Sequence, residues 1–130
     1  MIPEIGTHAL LSRSIGWHRA ADLLLSGRTI SGADAGAIGL ASQSLEGGEV
    51  FDAACSWAID VATSSAPAAM ATTKRLMQIS GGTRVADIIA LEDRSVAWFS
   101  QQDDFREAAA AFRERRSSQW LLSVDDQPPE

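Results

Sequence analysis

The sequence predicts a mostly α fold, five or six helices with at most one or two short strands, and three observations predict it. Apolar residues recur at spacings of three and four in successive windows, as in Phe51, Ala54, Ala58, Val61 and Ala62. Helix-breaking residues fall between those windows, with Gly27, Gly47, Gly48, Pro67, Gly81 and Gly82 as punctuation. Every segment after Gly48 fits helix, and only residues 41–45 could form a short strand.

In chain order, residues 1–7 contain Pro3 and Gly6 and read as extended chain, after which Ala9, Leu10 and Ile15 begin a helical pattern. Residues 18–26 form a short helix with Ala20, Leu23 and Leu24 on one face, and Gly27 sits where a left-handed C-terminal glycine belongs. Ser31 with Asp34 resembles a capping box and opens a small helix ending by Gly39. The amphipathic stripe from Phe51 defines a helix over 50–64, and Pro67, tolerated in a first turn, starts another over 68–79. Thr83 is placed to cap a helix carrying Val85, Ile89, Val96 and Phe99 on one face. Asp104 with Glu107 makes a second capping-box-like start for 105–116, whose buried face continues through Phe112. The tail 124–130 is polar, holds two prolines and is expected to fray.

Composition narrows the partners. At 130 residues the chain fits one domain or part of one. Its 45% apolar and 22% charged residues are those of an ordinary folded chain. The net charge of −6 has the wrong sign for nucleic acid or an anionic membrane, so neither is expected as a partner. Acidic residues gather mildly at Asp125, Asp126 and Glu130, while Arg106, Arg113, Arg115 and Arg116 could form a local anion site. Cys55 is the single cysteine and cannot form an internal disulfide. No apolar run approaches the roughly 18 to 20 residues of a membrane span, and no charged segment precedes an apolar stretch at the N-terminus, so a cytoplasmic location is expected.

The sequence holds no GxGxxG, GxxxxGK[ST], HExxH, GxSxG or CxxC, which removes the corresponding reaction classes. His8 and His18 have no cysteine near them, so no metal site is expected, and both read as partly exposed helix residues. Cys55 reads as a small buried hydrophobe. Trp17, Trp57, Trp98 and Trp120 read as core and interface anchors, since the acidic charge argues against a base-stacking platform.

Three blocks together resemble the C-terminal half of the crotonase superfamily, the enoyl-CoA hydratases and isomerases. IGWHRAADLLLSGRTISGADAGAIGLAS, residues 15–42, is similar to that family's (L/T)G(R/D)xI(S/T)AxxAxxxGLV stretch. SSAPAAMATTKRLM, residues 64–77, is similar to its proline-initiated helix ending in Lys and apolar residues. DDFREAAAAFRERR, residues 103–116, is similar to its closing DFREGxxAFxEKR helix. The resemblance implies an organisation of a boundary loop and first helix over 1–14, a remnant of a catalytic loop, then the helical region over 15–123, then the tail.

The same resemblance implies the chemistry. Family hydratases carry a catalytic Glu in a PE(I/V) motif, which Pro3, Glu4 and Ile5 match, making Glu4 the candidate general acid and base. A carboxyl group so placed can give or take a proton at the carbon beside a thioester. The family's PGxGG loop, which follows that motif, is missing between Gly6 and Ser14, which implies either an altered acyl pocket or a chance match of Pro3 and Glu4, with Glu4 then an exposed N-terminal carboxylate. Arg115 and Arg116 occupy the KR of the family's closing helix, near which the phosphates of coenzyme A bind, although the next family Lys is Ser117 here. A solvated helix C-terminus is the competing reading of these two cations. Acyl-CoA is then the substrate, with no separate cofactor, and family helices of this region assemble trimers and hexamers.

The family's first half supplies the oxyanion-hole amides and a first catalytic carboxylate. This chain is therefore expected to be the truncated, catalytically deficient half of an enzyme of fatty acid metabolism, hydrating or isomerising an enoyl-CoA. The alternative is a stand-alone, non-catalytic helical module for oligomerisation, using apolar residues such as Leu76, Met77, Val96, Trp98 and Phe99.

Overall fold

A computed structural model of the chain describes residues 2–4 and 6–129. Ile5 of the Pro3-Glu4-Ile5 motif, Met1, and Glu130 of the acidic terminus lie outside the described residues. Seven helices and no strand occur among them. The chain divides into two compact units, Met1–Ala53 and Ala54–Glu130.

In the first unit, α1 (Thr7–Ile15) packs on α2 (Trp17–Ser26), and Ile15 and Ala20 are buried. Gly27 ends α2 at φ 64°, donating its N–H to the Leu23 carbonyl at 3.0 Å, a left-handed conformation that costs other L residues roughly 1–2 kcal/mol. Ser31 and Asp34 form the expected capping box at α3 (Gly32–Ala37). The Asp34 N–H donates to Ser31 Oγ at 3.1 Å, and the Ser31 N–H donates to the Asp34 carboxylate at 3.2 Å. The Ser31 hydroxyl on that carboxylate holds it below its usual range. Residues 41–45 form a bend and extended chain rather than a strand, because no neighbouring strand among the described residues offers a ladder. They run close to α3: a Cβ on Gly32 would meet Ser44 Oγ at 3.0 Å, which small residues there avoid.

The chain continues through α4 (Val50–Ser64), and the second unit carries α5 (Pro67–Ser80), α6 (Val85–Phe99) and α7 (Asp103–Glu114). Pro67 opens α5 as expected, α5 packs against α6, and Ala68 is buried. The cap expected of Thr83 does not form. Its hydroxyl donates to the Ile79 carbonyl at 2.8 Å, satisfying the end of the preceding helix, and Arg84 takes the N-cap position without a side-chain cap. The capping box expected of Asp104 and Glu107 does not form either. Gln102 is the N-cap of α7, and both carboxylates bond to residues beyond the helix.

The tail is tethered where fraying was expected. Ser123 and Asp126 close a turn, Gln127 Oε1 accepts the Thr72 hydroxyl at 2.9 Å, and Pro128 is buried. The physical reason is that Thr72, only 3% exposed on α5, needs an acceptor for its hydroxyl.

The apolar faces are present but bare. Phe112 is 86% exposed rather than buried, and Phe51, Val85 and Val96 are exposed as well. Trp17 and Trp57 are exposed rather than in a core, and Cys55 is half-buried. Apart from Pro128, the buried apolar residues among those described are Ile15, Ala20, Ala68 and Ala111, and no large side chain among them is fully buried. The chain exposes 9840 Å². The helices are formed while their apolar stripes remain exposed.

Candidate functional site

Glu4 lies just ahead of α1 and is exposed. Its backbone carbonyl accepts the Thr7 N–H at 3.2 Å and the Thr7 hydroxyl at 2.5 Å, which fixes the entry of the chain into α1. No described residue hydrogen-bonds its carboxylate. Pro3, the preceding residue, lines a cavity of about 420 Å³ whose wall includes His8, Trp17, Leu24 and Leu25. The volume is within the range of small-molecule sites, and the wall is mostly apolar. His8 and His18 are both exposed, and no group of three potential metal ligands occurs among the described residues.

The two candidate cations differ sharply although adjacent. Arg115 ends α7 in the left-handed region, at φ 55°, donating its N–H to the Phe112 carbonyl at 3.4 Å, and its side chain has no partner among the described residues. Arg116 is committed. Its Nη1 and Nη2 donate to the two oxygens of Glu107 at 2.5 and 2.9 Å, its Nε donates to Glu114 at 2.7 Å, and Nη1 also donates to the Ser117 carbonyl at 3.1 Å. The fork geometry of the guanidinium allows this, and a lysine ammonium would not reproduce it. Glu107 is held down to about 2 by the Arg116 bonds and then by the Gln119 N–H, and the carboxylates in turn raise Arg116.

Glu107 and Asp104 together clasp the segment after α7. Glu107 accepts the Gln119 N–H at 2.7 Å. Asp104, 4% exposed, accepts the Leu121 N–H at 2.7 Å and the Leu122 N–H at 3.2 Å. The clasped segment forms one side of a cavity of about 640 Å³, where Arg116, Ser118 and Trp120 face Thr63 and Ser64 at the end of α4. The indole N–H of Trp120 is buried without a partner among the described residues. A further apolar groove of about 900 Å³ runs between α4 and α5, with Trp57, Val61, Met70 and Met77 along it and Lys74 at its edge. Sequence patterns find neither Asp104 nor Glu107 in this role, because their partners lie beyond the helix they sit on. Where the DFRE block falls is the single signal.

No helix is long and apolar enough to cross a membrane. The family model described as enoyl-CoA hydratase/isomerase matches residues 1–122. The chain is 34% identical over 121 residues to the mitochondrial methylglutaconyl-CoA hydratase of Mus musculus, covering 89% of this chain and 38% of that protein. Among solved structures, it resembles a probable enoyl-CoA hydratase/isomerase from Mycobacterium abscessus with a TM-score of 0.87 at 34% identity, over 93% of this chain and 48% of that one. It also resembles an enoyl-CoA hydratase from Bacillus anthracis with a TM-score of 0.83 at 26% identity, over 92% and 46%. The chain thus spans less than half the length of these relatives.

Proposed function

This chain belongs to the enoyl-CoA hydratase/isomerase family, and from that premise we propose that it forms the helical half of an enzyme acting on acyl-CoA thioesters. The reaction is addition of water across, or migration of, the C2–C3 double bond. Glu4 is the group that moves the proton: it delivers one to the carbon beside the thioester, or removes one there. The acyl group sits against the apolar wall that begins at Pro3, one residue from that carboxylate. The observation that carries the reading is that Pro3, the residue before the exposed Glu4, lines an apolar cavity of about 420 Å³.

The negative charge that develops on the thioester oxygen needs preorganised N–H donors. Losing one such donor costs on the order of a hundred- to a thousand-fold in rate. On this reading those donors belong to the half of the family fold that this chain does not span. The isolated chain is accordingly inactive, and the bare apolar stripes are the surface on which that other half packs. The phosphates of coenzyme A reach the α7 corner, where the Arg115 side chain has no partner among the described residues. Acyl-CoA is substrate rather than cofactor, the enzyme is cytoplasmic and serves fatty acid metabolism, and the complete unit is a trimer or hexamer.

The test is hydration of a short enoyl-CoA by the chain alone and by the chain reconstituted with the missing half of a family member. Turnover in the reconstituted protein that falls at least a hundred-fold in Glu4→Gln supports the reading. Full turnover in Glu4→Gln removes Glu4 from it.

A second reading draws on the exposure of Met77 at 72% and Val96 at 67%, beside the half-buried Leu76, Trp98 and Phe99: a non-catalytic module that self-associates through these faces. A stable homo-oligomer without affinity for coenzyme A favours it. Saturable binding of coenzyme A that is lost on substituting the α7 corner argues against it.

A further inference from the structure

We infer that Arg116 is a positioning residue for the segment 117–122 and does not itself contact the phosphates, so that at the α7 corner anion binding falls to Arg115. The inference rests on the acyl-CoA reading only for the identity of the anion. Four of the five N–H groups of Arg116 are already spent, on Glu107, Glu114 and the Ser117 carbonyl. A phosphate that took the fork of Arg116 would have to displace Glu107, one of whose oxygens also holds the Gln119 N–H. Glu107 is about one-fifth exposed, so its charge left unpaired would be poorly solvated. Arg115 faces no such competition, and its side chain is exposed.

The positioned segment matters because it is a wall. Arg116, Ser117, Ser118 and Trp120 line the cavity of about 640 Å³ opposite Thr63 and Ser64, and the neighbouring backbone is fixed by Glu107 at Gln119 and by Asp104 at Leu121 and Leu122. Arg116 therefore borders that cavity with a guanidinium already committed to Glu107, Glu114 and the Ser117 carbonyl, and it shapes the cavity by holding Glu107 in place.

The experiment compares Arg115→Ala, Arg116→Ala, Arg116→Lys and Glu107→Gln in the full protein with any partner chain retained. It reads coenzyme A affinity by calorimetry and amide hydrogen exchange at Gln119. The expected result is that both Arg116 variants and Glu107→Gln speed exchange at Gln119 at least ten-fold while leaving coenzyme A affinity within two-fold. Arg115→Ala is expected to weaken coenzyme A at least five-fold with exchange unchanged. Failure of lysine to restore the slow exchange supports the inference, since a phosphate contact would accept lysine whereas the three-acceptor fork does not.

The inference is overturned if Arg116→Ala weakens coenzyme A as much as Arg115→Ala does. It is equally overturned if Glu107→Gln tightens coenzyme A, which would show the carboxylate competing with phosphate for Arg116. If none of the four variants changes coenzyme A affinity, the phosphate assignment of the corner fails, and slow exchange at Gln119 that still depends on Arg116 supports the positioning role on its own.

Discussion

The Asp104 carboxylate, at the start of α7, accepts the backbone N–H of Leu121, seventeen residues later, at 2.7 Å. A helix-opening acidic residue usually serves its own helix terminus, where it satisfies free N–H groups and complements the dipole. Here it is buried and spent on the chain that follows the helix, with Leu122 as its second donor. Two N–H groups of a segment with no secondary structure of its own are thereby satisfied, which is the accounting that a part-buried backbone requires.

Asp104→Asn should therefore destabilise the second unit by about 1–3 kcal/mol, because the amide keeps one acceptor oxygen but turns an NH₂ toward a backbone donor. Urea denaturation followed by far-UV circular dichroism checks this. An unchanged midpoint would show that Leu121 and Leu122 find other acceptors.

Acid should release the other arm of the clasp. Glu107 takes its proton at about 2 in the folded chain against an ordinary value of 4.5, its ionised form being held by Arg116 and Gln119. Between those values the unfolded chain binds more protons than the folded one, so stability falls as pH falls. The contribution of Glu107 is fully present above about 4.5 and gone below about 2. Denaturation midpoints of the wild type and Glu107→Gln should differ at pH 6 and converge toward pH 2. A difference independent of pH would mean that the Glu107 charge is not what holds the segment.

Helix periodicity, Gly27 and the Ser31–Asp34 box are legible in the sequence because each is a local device, with every participant within a turn of the next. The clasp is not legible, since nothing in the spacing of Asp104 and Glu107 distinguishes a capping box from two carboxylates reaching 12 and 17 residues onward. The apolar stripes through Phe51, Val96 and Phe112 are legible as stripes. Their burial is not, because burial belongs to whatever packs on them, and the chain spans less than half of its relatives. Glu4 is found through the resemblance alone: its carboxylate makes no bond to a described residue, so neither pattern nor packing marks it.

Ser31→Ala should cost about 1 kcal/mol, the usual worth of an N-cap side chain, since Ser31 Oγ is the acceptor for the Asp34 N–H. Chemical denaturation of the full protein, monitored at α3 by amide exchange, checks this. No loss would indicate that the Asp34 side chain alone secures the turn.

Phe112 provides the contrast between stability and assembly. At 86% exposure its replacement by Ser should change the stability of this chain by no more than about 0.5 kcal/mol, as surface substitutions generally do. The same change should weaken association with the remaining half of the family fold at least ten-fold, measured by titration calorimetry. A large loss of stability with unchanged association would place Phe112 in a core of this chain.

The most direct measurement is enoyl-CoA hydration by the wild-type and Glu4→Gln chains, each reconstituted with the missing half of a family member. Turnover is expected for the wild-type complex, none for either chain alone, and at least a hundred-fold loss in the Glu4→Gln complex. Equal turnover by the two complexes, or turnover by the isolated chain, would contradict this expectation.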